Sequence, residues 1–231
     1  MLLGTAREGS TRLKQKMIRP FAGTTLFDIY LHLLETLQES GLFQEAGVAV
    51  WPGDKVLMRI AGDYSVPIIE RSEASATGLH KRSDELHVLK NFDSDYVVWI
   101  NGCLPLLKAT TVIEAVEYFK THEDVLSMTP VMPEYNWFWL DDASPINNKD
   151  PHCVSTQGCP PVYKSLHAFH IFNRYNMIAN SQYWEYTKFG YDPMLWKIED
   201  TTERHIEFMD IDSEFDFMLC ETQYSKSITD K

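Results

Sequence analysis

The chain has 231 residues, 44% of them apolar and 23% charged, and a formal net charge of −12. This length supports one sizeable core, or at most two small ones, in an ordinary globular composition. The acidic balance excludes wrapping a nucleic-acid polymer, which needs a broad cationic face, but leaves room for a single nucleotide held by a local cationic cluster.

Read in order, Met1-Leu2-Leu3 opens a short first strand that runs toward Ala6. A loop bearing glycine and cations follows and ends near Pro20. Leu26, Ile29, Leu33, Leu34 and Leu37 recur at helical spacing, with Gly41 placed to stop the helix. Residues 46–50, AGVAV, read as a buried strand, 55–61 as a helix and 66–69 as a further short strand. Residues 83–92 read as helix, and 96–100, YVVWI, as the clearest buried strand of the chain. A helix over 110–120 and a strand over 125–131 complete an alternation that predicts βαβ units, a mainly parallel sheet and helices on both faces. Past Pro133 the rhythm gives way to an aromatic, polar stretch, and 162–172 reads as a strand or hairpin. One domain is expected over 1–231, with a small inserted subdomain at about 133–192 that packs on the sheet or meets a second subunit.

Cys103, Cys153, Cys159 and Cys220 lack the spacing of a zinc hairpin and read as reduced structural thiols. No leader-like opening and no apolar run of spanning length is visible, so a cytoplasmic location without membrane insertion is expected.

Two charged constellations stand out. In AREGSTRLKQK, Gly4 and Gly9 bracket a bend that can bring backbone N–H groups around an anion, while Arg7, Arg12 and Lys16 can reach phosphate oxygens. The pattern is neither G-x-G-x-x-G nor a Walker loop, and a solvated cationic turn is an equal reading. Near the other end, DIDSEFDF places Asp210 and Asp212 two apart, so an extended backbone presents both carboxylates to one cation, with spacing suited to Mg2+. Ser213 and Asp216 match a capping box for a following helix; the plainer reading makes the two aspartates turn and cap residues only. Together the clusters describe cations on a triphosphate and carboxylates on its metal, and in-line displacement at phosphorus without a covalent nucleophile.

These residues resemble the cytidylyltransferases that activate acylneuraminate and related acid sugars, including the KDO-type enzymes. Ala6, Arg7, Ser10, Arg12 and Lys16 match an opening motif Ala-Arg-x-x-Ser-x-Arg-x-x-x-Lys, and DIDSEFDF is similar to the segment Asp-Ile-Asp-(Ser/Thr)-x-x-Asp-Phe. The resemblance implies a Rossmann-like sheet, a homodimer, and transfer of CMP from CTP to a small anionic acceptor with release of diphosphate. It implies nucleotide contacts from Ala6, Arg7, Gly9, Ser10, Arg12, Lys16, Arg71 and Asn101, and Mg2+ on Asp210 and Asp212. Acceptor contacts are expected from His80, Lys81, Arg82, Cys103, Gln157, Tyr163 and His167.

The departures bear on the acceptor. Cys103 stands where the KDO branch carries aspartate, and Lys164-Ser165-Leu166-His167-Ala168 replaces the usual Asn-Gly-Ala after Tyr163. His80 and His167 can each hydrogen-bond an acidic acceptor, act as a base, or merely pack; Lys81 and Arg82 equally suit a solvated helix face. A sugar acid is the default acceptor, with a phosphonate or phosphorylated metabolite, a different nucleotide base, or a non-catalytic nucleotide-binding protein as rivals.

Overall fold

The computed structural model describes every residue except 11, 78–86, 149, 151, 153, 181–183, 185, 188–189, 192 and 230–231, with backbone alone at 157, 186–187 and 190–191. The expected helix over 83–92 lies partly outside the described residues; His87, Val88 and Leu89 are helical.

In chain order the first half carries β1 (Leu2–Thr5), a small hairpin of β2 (Pro20–Phe21) and β3 (Thr24–Thr25), and α1 (Leu26–Glu39). Then come β4 (Ala46–Val50), α2 (Lys55–Ala61), β5 (Ile68–Glu70), α3 (Glu73–Thr77), β6 (Tyr96–Asn101) and α4 (Ala109–Lys120). The second half adds β7 (Ser127–Glu134), β8 (Val162–Ser165), β9 (Phe169–Asn173), α5 (Arg174–Asn180), β10 (Tyr186–Thr187), β11 (Gly190–Tyr191) and β12 (Met194–Lys197). Two helices, α6 (Thr202–Glu207) and α7 (Glu214–Thr229), close the chain.

The central sheet runs β12-β7-β9-β6-β1-β4-β5, with β8 also on β7. Pairings among β1, β4, β5 and β6 are parallel, as is β12 with β7, while β9 runs antiparallel to β6 and β7. This is a mainly parallel Rossmann-like α/β sheet. Its side chains alternate between two cores, as the two-residue period of a strand requires. Leu2, Val48, Val50, Val98 and Ile100 face α1, α2 and α4, whereas Leu3, Ala49 and Val97 pack with Val88, Leu89 and Met177 on the other side.

Packing refines three expectations. Of the two readings of residues 162–172 the strand holds, in two pieces, and the hairpin does not: β8 pairs with β7 from Val131↔Ser165 to Glu134↔Val162, and β9 continues along the same flank at Met128↔Ile171. Leu166, His167 and Ala168 bulge out between them, with His167 at φ +49°, a left-handed conformation uncommon for a side-chain-bearing residue. The buried face of α1 comprises Leu26, Phe27, Tyr30, Leu31, Leu34 and Leu37, with Ile29 and Leu33 partly buried against the same core, so Tyr30 joins the stripe. Gly4 lies inside β1 rather than in the anion loop, and a β-carbon there would sit 2.5 Å from Leu34 Cδ1 and 2.7 Å from Tyr30 Oη.

Tyr30 explains that close approach. Its hydroxyl donates to the Ile100 carbonyl at 2.7 Å and accepts from the Thr5 N–H at 3.0 Å, tying the carboxyl ends of β1 and β6 together where the strands open into loops. Its side chain also occupies the space next to Gly102, where a β-carbon would meet the ring at 2.7 Å. Burial holds the phenol far above its ordinary pKa, so it remains a donor. Tyr30→Phe leaves a buried carbonyl and a buried N–H without this partner and is expected to cost about 1–3 kcal/mol; urea denaturation should show a lower midpoint at unchanged slope.

Candidate functional site

In parallel α/β sheets ligands bind beyond the carboxyl ends of the strands. There, Thr5, Arg7, Ser10, Arg12, Lys16, Asn101, Cys103, His167, Asp210 and Asp212 line one cleft.

The opening loop reaches this cleft because apolar residues pin it. Ala6, Leu13 and Met17 are buried in the main core, and the Phe27 N–H donates to the Met17 carbonyl at 2.9 Å. Asp54, buried ahead of α2, accepts from the Glu8 N–H at 3.2 Å and so braces the loop from the turn between β4 and α2. Lys16 is 8% exposed, and its Nζ donates to the Ile211 carbonyl at 2.5 Å and lies 3.6 Å from Asp212 Oδ1. Arg12, on the open side, meets Asp212 Oδ2 at 2.5 Å. Arg7 lines the cleft and has no carboxylate within 4.0 Å among the described residues. Gly9 is exposed at the loop tip with open space where a β-carbon would stand.

The second constellation is an extended connection between α6 and α7, not a strand of the sheet. Ile211 is fully buried and its N–H donates to the Cys103 carbonyl at 3.0 Å, which sends Asp210 and Asp212 toward the cleft. The expected capping box forms: the Ser213 N–H donates to Asp216 Oδ2 at 2.8 Å, and the Asp216 N–H donates to Ser213 Oγ at 3.3 Å. Arg19 fixes the same helix start through a bidentate pair with Glu214 at 2.5 and 2.7 Å. The amino-terminal cations and the distant carboxylates therefore meet.

Their electrostatics are tense. Burial, then the neighbouring charge of Asp212, raises the Asp210 pKa above the ordinary carboxylate range. Oδ1 of Asp210 and Oδ1 of Asp212 are both buried with no hydrogen-bond partner. Burial likewise pushes the Cys103 thiol up, although Lys16 opposes it.

Asn101 and Arg71 reach the cleft as organisers. Asn101 Nδ2 donates to Asp210 Oδ2 at 3.2 Å and to the His167 carbonyl at 3.0 Å, while its Oδ1 accepts from the Cys103 N–H at 3.1 Å. Arg71, 8% exposed, donates to the Ala6 carbonyl at 3.4 Å and to Ser75 Oγ at 2.9 Å, joining the opening loop to α3. Of the expected acceptor residues, Cys103 and His167 line the cleft. Tyr163 instead lies on β8 beneath Lys197, whose Nζ is 4.6 Å from its ring centroid. Gln157 falls on a 3-10 turn over Thr156–Gly158. His80, Lys81, Arg82 and Cys153 lie outside the described residues; Cys103, Cys159 and Cys220 are free thiols.

Sequence reasoning passed over Trp99, whose Nε1 donates to Thr5 Oγ1 at 3.1 Å in the cleft wall, and His170, buried behind it. The alternation of YVVWI gives Trp99 a side, but not the cleft that it borders. Nothing in the sequence distinguishes His170 from a surface histidine.

A family profile described as Cytidylyltransferase matches residues 3–149. The chain is 27% identical over 121 residues to the Bifunctional protein GlmU of Thermosynechococcus vestitus, covering 51% of this chain and 26% of that protein. It is 25% identical over 132 residues to a 3-deoxy-manno-octulosonate cytidylyltransferase of Elusimicrobium minutum, covering 57% of this chain and 50% of that one. The chain thus spans between about a quarter and a half of the curated relatives that it matches. A solved structure of a CMP:2-keto-3-deoxy-manno-octonic acid synthetase complexed with CTP superposes over 98% of both chains, with a TM-score of 0.69 and 11% identity, a likeness of fold. Among the described residues no helix is long and apolar enough to cross a membrane. With the profile match extending over more than half of its length, the chain belongs to the cytidylyltransferase family.

Proposed function

We propose that this protein transfers CMP from CTP to a small acidic acceptor, a nonulosonic or related sugar acid, and releases diphosphate. The observation that carries this reading is the meeting of Arg12 and Lys16 with Asp210 and Asp212 in one cleft, although some 200 residues separate the partners. Family membership supports the nucleotidyl transfer, and the relative named for 3-deoxy-manno-octulosonate supports the acceptor class.

In this reading Arg7, Arg12 and Lys16 bind the triphosphate and offset the charge that grows on its oxygens as the acceptor oxygen attacks the α-phosphorus. Lys16 is the most constrained of the three, since the Ile211 carbonyl fixes its ammonium at the cleft wall. Arg12 is 69% exposed at its side chain and swings most freely from Asp212 to phosphate. Asn101 orients Asp210, and His167 contacts the acceptor from the bulge.

The donor set fits Mg2+. Two buried carboxylate oxygens that accept no hydrogen bond are hard ligands held by the backbone on either side of Ile211. Mg2+ commonly takes one or two carboxylates from the protein and its remaining ligands from water and phosphate. Asp210 and Asp212 would hold such an ion, which would supply positive charge to offset that of the phosphates. A homodimer also belongs to this reading, supported by the exposed Tyr135, Trp139, Leu140 and Ile146 between β7 and β8.

Diphosphate release from CTP, with Mg2+ and a panel of sugar acids, phosphonates and phosphorylated metabolites, tests the proposal. Asp212→Asn and Lys16→Ala should each lower kcat/KM about 100-fold or more, with far-ultraviolet circular dichroism unchanged; full turnover in both variants would refute the site. Asp210→Asn has a second signature, because it removes a strained charge along with a ligand. Without metal its Tm should rise by roughly 2–4 °C, the change expected of about 1 kcal/mol in a chain of this size. Added Mg2+ should raise the Tm of the parent protein and leave that of Asp210→Asn nearly unmoved.

A further inference from the structure

Among the described residues His167 is the expected acceptor residue whose side chain is held by another, buried imidazole. Its backbone is fixed first: φ is +49°, its carbonyl accepts from Asn101 at 3.0 Å, and its N–H donates to Ser165 Oγ at 3.4 Å. Its Nδ1 then lies 2.8 Å from Nε2 of His170. His170, on β9, is 3% exposed and stacks on Trp99 at 5.6 Å with 7° between the planes. The ring of Trp184 meets it edge-on at 4.9 Å, and its Nδ1 lies 3.1 Å from Thr129 Oγ1 on β7.

We propose that His170 is a positioning residue for the transfer reaction, holding Nδ1 of His167 so that Nε2 of His167 is left to take the proton of an acceptor hydroxyl. This rests on the proposed CMP transfer and narrows its acceptor to one whose nucleophile is an un-ionised hydroxyl. For Nε2 of His167 to receive a proton, the neutral ring must carry its hydrogen on Nδ1. That hydrogen needs an acceptor, which Nε2 of His170 supplies when His170 carries its own hydrogen on Nδ1 and donates it to Thr129 Oγ1. Burial supports the arrangement, since it lowers the His170 pKa to about 3 and keeps one nitrogen lone pair available. The same bond persists once His167 becomes cationic, so proton uptake requires no reorganisation of the pair.

The step balances without another reagent. As the acceptor oxygen bonds to the α-phosphorus of CTP, its proton passes to Nε2 of His167. Diphosphate leaves with the electron pair of the broken P–O bond, and water then takes the proton from the imidazolium. An acceptor that attacks through an ionised phosphonate or phosphate oxygen has no such proton to give.

Two measurements test this. Imidazole 15N NMR on the nucleotide-free protein should show coupling across the bond between Nδ1 of His167 and Nε2 of His170, with protons on Nδ1 of both rings; a proton on Nε2 of His170, or no coupling, overturns the proposal. This arm needs no turnover, so it stands apart from a failure of the parent protein to release diphosphate with any acceptor, which would sink the CMP-transfer reading instead. In the kinetic arm, His170→Phe keeps a ring between the tryptophans but loses the acceptor nitrogen, and should cut kcat about 10-fold or more with hydroxyl acceptors while the KM for CTP stays within about twofold. His170→Gln, whose carbonyl restores an acceptor, should recover part of that loss. Unchanged kcat in His170→Phe, or equal losses in both variants, would assign His170 to packing alone.

Discussion

Ile211 is the point on which the site depends. Its side chain is fully buried, its N–H holds the Cys103 carbonyl, and its carbonyl holds the ammonium of Lys16. One residue thereby joins the opening loop, the loop after β6 and the connection into α7. Magnitudes identify the anchor as apolar: burying an isoleucine contributes roughly 1.5–3 kcal/mol, whereas an exposed pair such as Arg12–Asp212 contributes at most about 1. Burial fixes the position, and the ion pairs then settle the direction of the charges.

What is fixed in this way is not comfortable. Asp210 and Asp212 stand as near neighbours, each with a buried oxygen that accepts no hydrogen bond, and His167 holds a left-handed backbone in a bulge. Each feature has a local cost, and each is sustained by structure around it: Asn101 braces both Asp210 and the bulge, while β8 and β9 continue along β7 on either side. Strain that neighbouring elements over-determine, concentrated at one cleft, is what a ligand site in an otherwise regular sheet looks like. The cations present a matching case. Arg12 and Lys16 lie 2.5 and 3.6 Å from Asp212, so each cation already stands beside a carboxylate.

Much of the fold was legible because its rules are local. The period of α1 and its stop at Gly41, the buried run at 96–100 and the start of α2 at Lys55 follow from apolar spacing and terminal residues, and Ser213 with Asp216 announced a capping box that forms. Tyr30 was missed because a hydroxyl in an apolar stripe is acceptable only where a carbonyl awaits it, and Ile100 is 70 positions away. At 162–172 the extended chain is legible, but its break and its pairing are not, because the partner is the distant β7. Two charged motifs were visible by residue type, but their meeting was not, since the core contacts of Leu13, Met17 and Ile211 decide it. His170 left no trace in the sequence, because its meaning lies wholly in Trp99, Thr129 and His167.

The central claim is that the opening cations and the carboxylates of residues 210 and 212 enclose one metal-bound nucleotide. Anomalous diffraction from crystals soaked with Mn2+ and CTP tests it most directly. The account predicts a peak against Oδ1 of Asp210 and Oδ1 of Asp212, with triphosphate density continuing to Arg7, Arg12 and Lys16. Nucleotide bound elsewhere, or metal bound away from both aspartates, would contradict it.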